Sequence, residues 1–222
     1  MQLYIECPYT SFPRSFARDY KETYLYPPPS TIYGFLLSLV GEEELTKHLN
    51  TKLAIGIIGD NPPISHIIRK QRHHKFAKGD SGGIYPINKY SKPNHQELLT
   101  GLKIVVQVNS DQESTIIKLT ERIAIALSNP SQINRFGGLC LGESNALVNG
   151  VRKYRESDGE IRWLIKDKRG LISLPVWINR TTGQGIFQRF SFGNFCQDCF
   201  VQIKEPCKPK NTKATKSRKS RT

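Results

Sequence analysis

The chain has 222 residues, room for one domain with an elaboration or two small ones, and at 37% hydrophobic and 23% charged it can build a core, which excludes full disorder and a fibrous repeat. Thirty-three Lys and Arg against 19 Asp and Glu leave a net charge of +14, a surplus that points to a polyanionic partner, nucleic acid before any other. No apolar run approaches the roughly 18–20 residues of a spanning helix and the first residues lack the layout of a secretory signal, so the chain reads as soluble and cytoplasmic, with no membrane partner.

Gln2 to Cys7 alternates as a strand, with Leu3 and Ile5 on one face. A polar and aromatic linker from Pro8 to Tyr26 ends in Pro27-Pro28-Pro29, and three prolines forbid helix before them. Ser30 or Thr31 is then placed to cap a short helix running to about Val40, with Gly41 as its stop. That helix is apolar nearly all round and should be buried, and Gly34 inside it suggests close packing against another backbone. Lys52 to Ile58 reads as a second strand, closed by Gly59-Asp60-Asn61-Pro62, and Leu102 to Val108 as a third. Ser110 with Glu113 matches a capping box, and Ile116, Leu119, Ile123 and Leu127 recur at helical spacing until Pro130. Residues 145–151 supply a further strand.

The order β-α-β, insertion, β-α-β predicts an α+β fold of the ferredoxin-like split type, shared by RNA-recognition modules. It places a ferredoxin-like domain over 1–151 with an insertion at 62–101, a β-rich C-terminal extension over 152–207, and a disordered basic tail over 208–222. In the extension, Arg152–Arg155 and Ile161–Ile165 flank Glu156-Ser157-Asp158-Gly159 as a hairpin, and Leu171–Ile178 and Ile186–Phe192 follow as strands.

The charge is not spread evenly. Residues 208–222 carry +7, residues 66–95 carry +6, and everything else sums to +1. A basic tail is an electrostatic arm of low specificity. In the 66–95 stretch, Arg69, Lys70, Arg72, Lys75, Lys78, Lys89 and Lys92 alternate with His73, His74, Phe76, Tyr85, Tyr90 and three glycines. Cations there would neutralise phosphates and rings would stack on unpaired bases. A second candidate is the run Asn134 to Ser144, with Gly137, Gly138 and Gly142 beside Arg135. Its amides could approach phosphates, or its glycines could be a turn forced by packing; it is neither a Walker loop nor a dinucleotide fingerprint.

Two of these segments also carry a likeness. Phe12-Pro13-Arg14 through Thr23-Tyr24-Leu25-Tyr26 into PPPSTIYGFL resembles the N-terminal signature of the Cas-five family of CRISPR-associated proteins, and RFGGLCLGES followed by NALVNGV is similar to its second signature. Of its subgroups the chain looks most like the type I-B or myxobacterial-type version. The resemblance implies a ferredoxin-like RAMP domain with a β-hairpin thumb, which would be the basic insertion. It further implies a subunit of the Cascade surveillance complex that holds the 5′ handle of the guide RNA. The expected partners are the CRISPR guide RNA, a Cas-seven-type backbone subunit, a large Cas-eight-type subunit and, through the complex, target DNA. The residues expected at the RNA are Arg14, Arg18, Tyr20, Lys21 and Tyr24 in the linker, and Arg69, Lys70, Arg72, His73, His74, Lys75 and Lys78 in the thumb. Arg135, Gly137 and Gly138 in the loop and Arg152 beyond it complete the set.

A type I-C branch of that family cleaves precursor RNA, so the resemblance also admits an enzyme. Metal-free cleavage needs a base for the 2′-hydroxyl, an acid for the leaving oxygen and a cation for the phosphorane. Lys47-His48 and His74-Lys75 are the adjacent pairs that could serve, but the plainer reading is a His at the end of the first helix and two RNA-binding cations. No catalytic residue, cofactor or metal is therefore expected; the alternatives are a repeat-specific endoribonuclease and a general basic RNA-binding protein. Five cysteines, an odd count, argue against a disulfide framework, and Cys196, Cys199 and Cys207 fall short of the four ligands of a structural zinc site. Phe187, Phe190, Phe192 and Phe195 around Arg189 lack the order of an RNA-stacking motif and read as strand core.

Overall fold

Alternating β-branched and aromatic residues build one mixed sheet in the computed structural model, which describes residues 1–14, 20–72, 91–179 and 181–205. Its strands are β1 (Gln2–Thr10), β2 (Tyr20–Lys21), β3 (Lys52–Ile58), β4 (Ile64–Arg72), β5 (Ser91–Asn109), β6 (Gly150–Lys153), β7 (Ile161–Lys166), β8 (Ile172–Ile178), β9 (Gly185–Gly193) and β10 (Val201–Gln202). The order is β6-β1-β5-β3-β7-β9-β8, with β10 added to β3, and β2 and β4 to β5. Every pairing is antiparallel except that of β2 with β5. Among the described residues two α-helices, α1 (Pro29–Leu39) and α2 (Leu119–Ser128), complete an α+β architecture. Among the described residues no helix is long and apolar enough to cross a membrane.

The 19 residues of β5 do two jobs. The half from Leu102 onward lies between β1 and β3, with Val106 opposite both Leu3 and Ile55. The half before it runs past the end of β1 and pairs with β4 from Ile64↔Leu99 to Arg72↔Ser91, forming a two-stranded arm. The arm lies inside the segment expected to be inserted, and residues 73–90, between its two strands in sequence, lie outside the described residues.

Period-two alternation gives the sheet two buried faces. Leu3, Ile5, Leu53, Ile57, Ile104 and Val106 pack under Ile32, Leu36 and Leu37 of α1 and Leu119 and Ile123 of α2. Tyr4, Ala54, Ile58, Val105 and Trp163 form the opposite cluster with Cys199. Each fully buried Leu or Ile contributes about 1.5–3 kcal/mol, so the two clusters set the register of β1, β3 and β5 firmly.

Several local expectations change. Helix α1 begins on prolines, with Pro28 as N-cap, and neither Ser30 nor Thr31 caps it; the Ser30 hydroxyl instead donates to the Pro175 carbonyl at 3.0 Å and stitches α1 to β8. Gly41 stops the helix as expected, at φ +66°, and a Cβ there would lie 2.3 Å from the Asn134 carbonyl oxygen. Gly34 packs against no backbone: nothing lies within 4 Å of where its Cβ would be, and it opens on a cavity of about 360 Å³ that also touches Arg135 and Phe136. Helix α2 starts at Leu119 rather than after Ser110, so Ile116 lies outside it and is fully exposed. Ser110 and Glu113 form no capping box, since the N-cap is Lys118, but still accept its first amides from a distance: Ser110 Oγ accepts from the Thr120 amide at 3.3 Å and Glu113 from the Leu119 amide at 3.0 Å. The turn at 156–158 does not make a hairpin, because β6 pairs with β1 while β7 pairs with β3 and β9. The connection crosses the sheet instead, with Tyr154 packed on the Trp163 cluster and Arg152 clasping Asp158 through both guanidinium nitrogens, at 2.7 and 2.6 Å.

His48 is not at a helix end but wholly buried beside Glu113. Arg122 Nη1 donates to His48 Nε2 at 3.0 Å, so the ring proton sits on Nδ1 and is donated to Glu113 at 2.9 Å. Thr51 also donates to Glu113, and Glu42 takes Lys47 at 2.6 Å together with Arg122. Burial alone would push both carboxyls up, but their donors outweigh it: Glu113 is held below its ordinary 4.5 and Glu42 down at about 2. A depressed carboxyl contributes stability that is complete above 4.5 and lost as pH falls through its folded value. The melting temperature should therefore drop between pH 4.5 and about 2, and Glu42→Gln should make that drop shallower. Glu113→Ala, which strands His48 and Thr51, should cost about 3–5 kcal/mol in urea unfolding at neutral pH.

Candidate nucleic-acid interface

The base of the arm is gripped on both faces. Strand alternation turns His66, Ile68 and Lys70 to one side of β4 and Ile67 and Arg69 to the other. On the first side Tyr20 reaches across from β2: the His66 ring and the Tyr20 hydroxyl lie 2.7 Å apart, and Tyr20 donates to Glu97 at 3.0 Å. Glu97 also accepts the Thr23 amide at 2.9 Å, fixing the chain after β2. With its only proton given to Glu97, the Tyr20 oxygen accepts from His66 Nδ1. Desolvation, and then the bond to Glu97, raise the Tyr20 phenol above its ordinary value and keep it protonated. On the other side Arg69 meets Glu143 at 3.2 Å, and Asn145, with its amide oxygen turned inward, accepts both guanidinium nitrogens at 3.0 and 2.8 Å.

Glu143 and Asn145 belong to the glycine-rich loop, whose middle is packed down on β1. Thr10 Oγ1 donates to the Leu141 carbonyl and the Tyr9 hydroxyl to that of Asn145 at 2.9 Å. Gly142 has φ +91°, and a Cβ on it would stand 2.3 Å from the Ser11 carbonyl oxygen. Of the two readings open for this loop, packing explains Gly142. Arg135, Phe136, Gly137 and Gly138 are exposed at the loop's other end, where Arg135 lies beside the end of α1 rather than beside Arg69.

The linker ladder pairs Pro13 with Thr23, and the Arg14 amide donates to the Glu22 carbonyl. The Arg14 guanidinium sits 5.4 Å from the Tyr24 ring centre and 3.1 Å from Glu22, while its Nε finds no partner. Next to it Phe12, Pro13, Tyr24, Gly142, Ile178 and Phe187 line a shallow cavity of about 90 Å³. Phe187 is half exposed there, whereas Phe190 is buried as strand core. Rings, prolines and a partly free arginine in one place offer a face to an unstacked base and a charge to its phosphate.

Of the residues expected at the RNA, the structure brings Tyr20 and Arg69 to the arm base, Lys21 onto β5 opposite Gln96, and Arg14 with Tyr24 to the linker cavity. Lys70 is exposed on the arm, and Arg72 ends β4 opposite Ser91. Arg152, stacked 4.2 Å over the Tyr4 ring and neutralised by Asp158, offers little free charge. Arg18, His73, His74, Lys75 and Lys78 lie outside the described residues. His66, Glu97 and Asn145 escaped the sequence reading, and Phe187, read there as strand core, is half exposed; the β4–β5 register that sets His66 against Glu97 is the signal that finds the first two.

A family model described as CRISPR-associated protein (Cas_Cas5) matches residues 1–160. A curated relative, CRISPR-associated protein Cas5 of Myxococcus xanthus (strain DK1622), is 31% identical over 189 residues, which is 82% of this chain and 85% of that one. A solved chain titled as a CRISPR RNA-guided surveillance complex shares the fold, with a TM-score of 0.60 at 12% identity over 87% of this chain and 89% of its own.

The two ends of the loop should respond differently to a methyl group. Gly137 has φ +76° and open space, so Gly137→Ala should cost only about 1 kcal/mol of backbone strain. Gly142→Ala must push the loop off Ser11, and should lose several-fold more stability in the same thermal melt, with faster amide exchange at 141–146.

Proposed function

The chain belongs to the CRISPR-associated Cas5 family, and on that premise we propose that it is a non-catalytic subunit that binds the 5′ handle of a CRISPR guide RNA and seeds assembly of a surveillance complex. The observation that carries this reading is the clasped arm. The sequence stretch around it holds +6 of the net +14, and the fold extends it past β1 on a base fixed from both faces. A charged hairpin on a rigid base acts as a thumb: its cations meet phosphates at a set distance from the aromatic cavity at Arg14, Tyr24 and Phe187. Unpaired handle nucleotides would splay between them. The order β6-β1-β5-β3, with both helices on one face, supports a ferredoxin-like core into which the thumb is inserted. In this reading a Cas-seven-type backbone subunit and a large Cas-eight-type subunit dock around the RNA, and target DNA is reached through the complex.

One observation favours a second reading, an endoribonuclease acting on precursor RNA. Tyr20, His66 and Glu97 form an exposed hydrogen-bonded relay on the thumb's base, with the phenol kept protonated as an acid would be. His48, by contrast, is sealed between Glu113 and Arg122 and cannot reach a 2′-hydroxyl. Incubating the purified chain with its repeat RNA separates the two: intact RNA supports the binder, and cleavage at one site that is lost in His66→Ala supports the enzyme.

Neutralising Lys70 and Arg72 together should weaken handle RNA binding about 10–100-fold and lower the slope of log K against log salt by about 1.4. Deleting 208–222 should weaken all RNAs alike and leave handle preference intact. A spread of co-purifying RNAs, in place of one small RNA with a fixed 5′ end, would instead mark a general basic RNA-binding protein.

A further inference from the structure

Cys196 and Cys199 stand at the two ends of one tight turn that the RNA site does not use. The Cys199 amide donates to the Cys196 carbonyl at 3.1 Å, and the Cys196 amide donates to Cys199 Sγ at 3.3 Å. Side chains three apart in such a turn eclipse one another, and the two sulfurs are 3.9 Å apart. A turn closed by this bond keeps its end Cα atoms within about 7 Å, and a disulfide spans about 4.4–6.8 Å, so rotation of side chains alone can join the sulfurs. The turn is also held in place. Cys199 is buried against Ala54 and Trp163, and Phe195 packs on Trp163 at 4.9 Å and on Phe200 at 5.7 Å. Cys196 faces solvent while Cys199 is 1% exposed, so the pair has an accessible attacker and a sheltered second thiol. Among the described residues no group of three or more His, Cys, Asp or Glu side chains could hold a metal ion, and Cys207 lies outside them.

We propose that Cys196 and Cys199 are a redox-modification site, a vicinal dithiol that takes a low-molecular-weight disulfide of the glutathione type and closes to an intramolecular disulfide. The Cys196 thiolate attacks one sulfur of glutathione disulfide, whose S–S bond breaks and releases one glutathione thiolate. Cys199 gives its proton to solvent, and its sulfur attacks Cys196 Sγ, breaking the mixed disulfide and releasing the second glutathione. The protein has lost two electrons and two protons, and one glutathione disulfide has become two thiols. Burial pushes the Cys199 thiol up to about 11, so the exposed Cys196 is the first attacker and the mixed disulfide forms there before closure.

Trypsin offers a direct readout, because the peptide Phe190–Lys204 holds both cysteines and no others. The folded full-length chain is incubated with glutathione disulfide, its remaining thiols are alkylated, and the digest is weighed. The proposal expects this peptide without alkyl groups and lighter by two hydrogens than its reduced form. It expects Cys199→Ser to retain glutathione on Cys196, and Cys196→Ser to leave Cys199 alkylatable and free of glutathione once unfolded. Two alkyl groups on the wild-type peptide, a link from either cysteine to Cys207, or glutathione on Cys199 in Cys196→Ser would each overturn it.

Discussion

One strand decides where everything else can stand. β5 is central to the sheet over its second half and half of the arm over its first, and the two halves meet at Gly101, where φ is +65° and Leu99 and Leu102 on either side enter the same core. In the sheet both of its faces are buried, Ile104 and Val106 under the helices and Val105 against Tyr4 and Trp163. A slip of one residue would exchange those sets, so packing forbids it. Beyond Gly101 the arm's facing is set by the pairing of β4 with β5, from Ile64↔Leu99 to Arg72↔Ser91. Glu97 therefore lies opposite His66 with Tyr20 within reach, and Arg69 is delivered to the side where Glu143 and Asn145 wait.

Because the sheet is covered on both faces, the candidate binding groups lie at its margins. The core is nearly neutral in charge and supplies rigidity; cations and free rings sit on the arm, the linker ladder and the loops. The buried polar groups follow the same division. Glu113 satisfies His48, Thr51 and the first amide of α2 at once, and Arg122 bridges His48 and Glu42, so the ends of both helices share one network. A network of this kind is stable only when complete, which makes it a fixed point of the scaffold and a poor place for catalysis.

What was legible in the sequence was what short periods encode. Strands β1 and β3, helix α1 and the stop at Gly41 show in alternation, prolines and a glycine. What was not legible depended on distance along the chain. Ser110 and Glu113 form no capping box, since the N-cap is Lys118; they accept the first amides of α2 across an excursion of the backbone, so Ile116 never joins the helix its spacing suggests. The turn at 156–158 looks like a hairpin locally, yet the strands beside it find better partners elsewhere, and Arg152 closes on Asp158 instead of facing outward. Tyr20 meets residues 46 and 77 positions away, a relation no local pattern carries.

The glycine-rich loop shows how the two kinds of information combine. Its composition announced close approach of backbone, which is true, but to Ser11 and the end of β1 rather than to a ligand at Gly142. Pinned there, the loop becomes a strut. One end, at Arg135 and Phe136, stands beside the close of α1, where Gly41 leaves no room for a side chain against Asn134. The other end, at Glu143 and Asn145, holds Arg69 and so the arm. The helix layer and the arm thus share one segment that is pinned at Leu141 and Gly142 and exposed over 134–138. For the handle binding proposed above, an arm base already fixed on both faces would leave most of the ordering cost of the complex to the RNA.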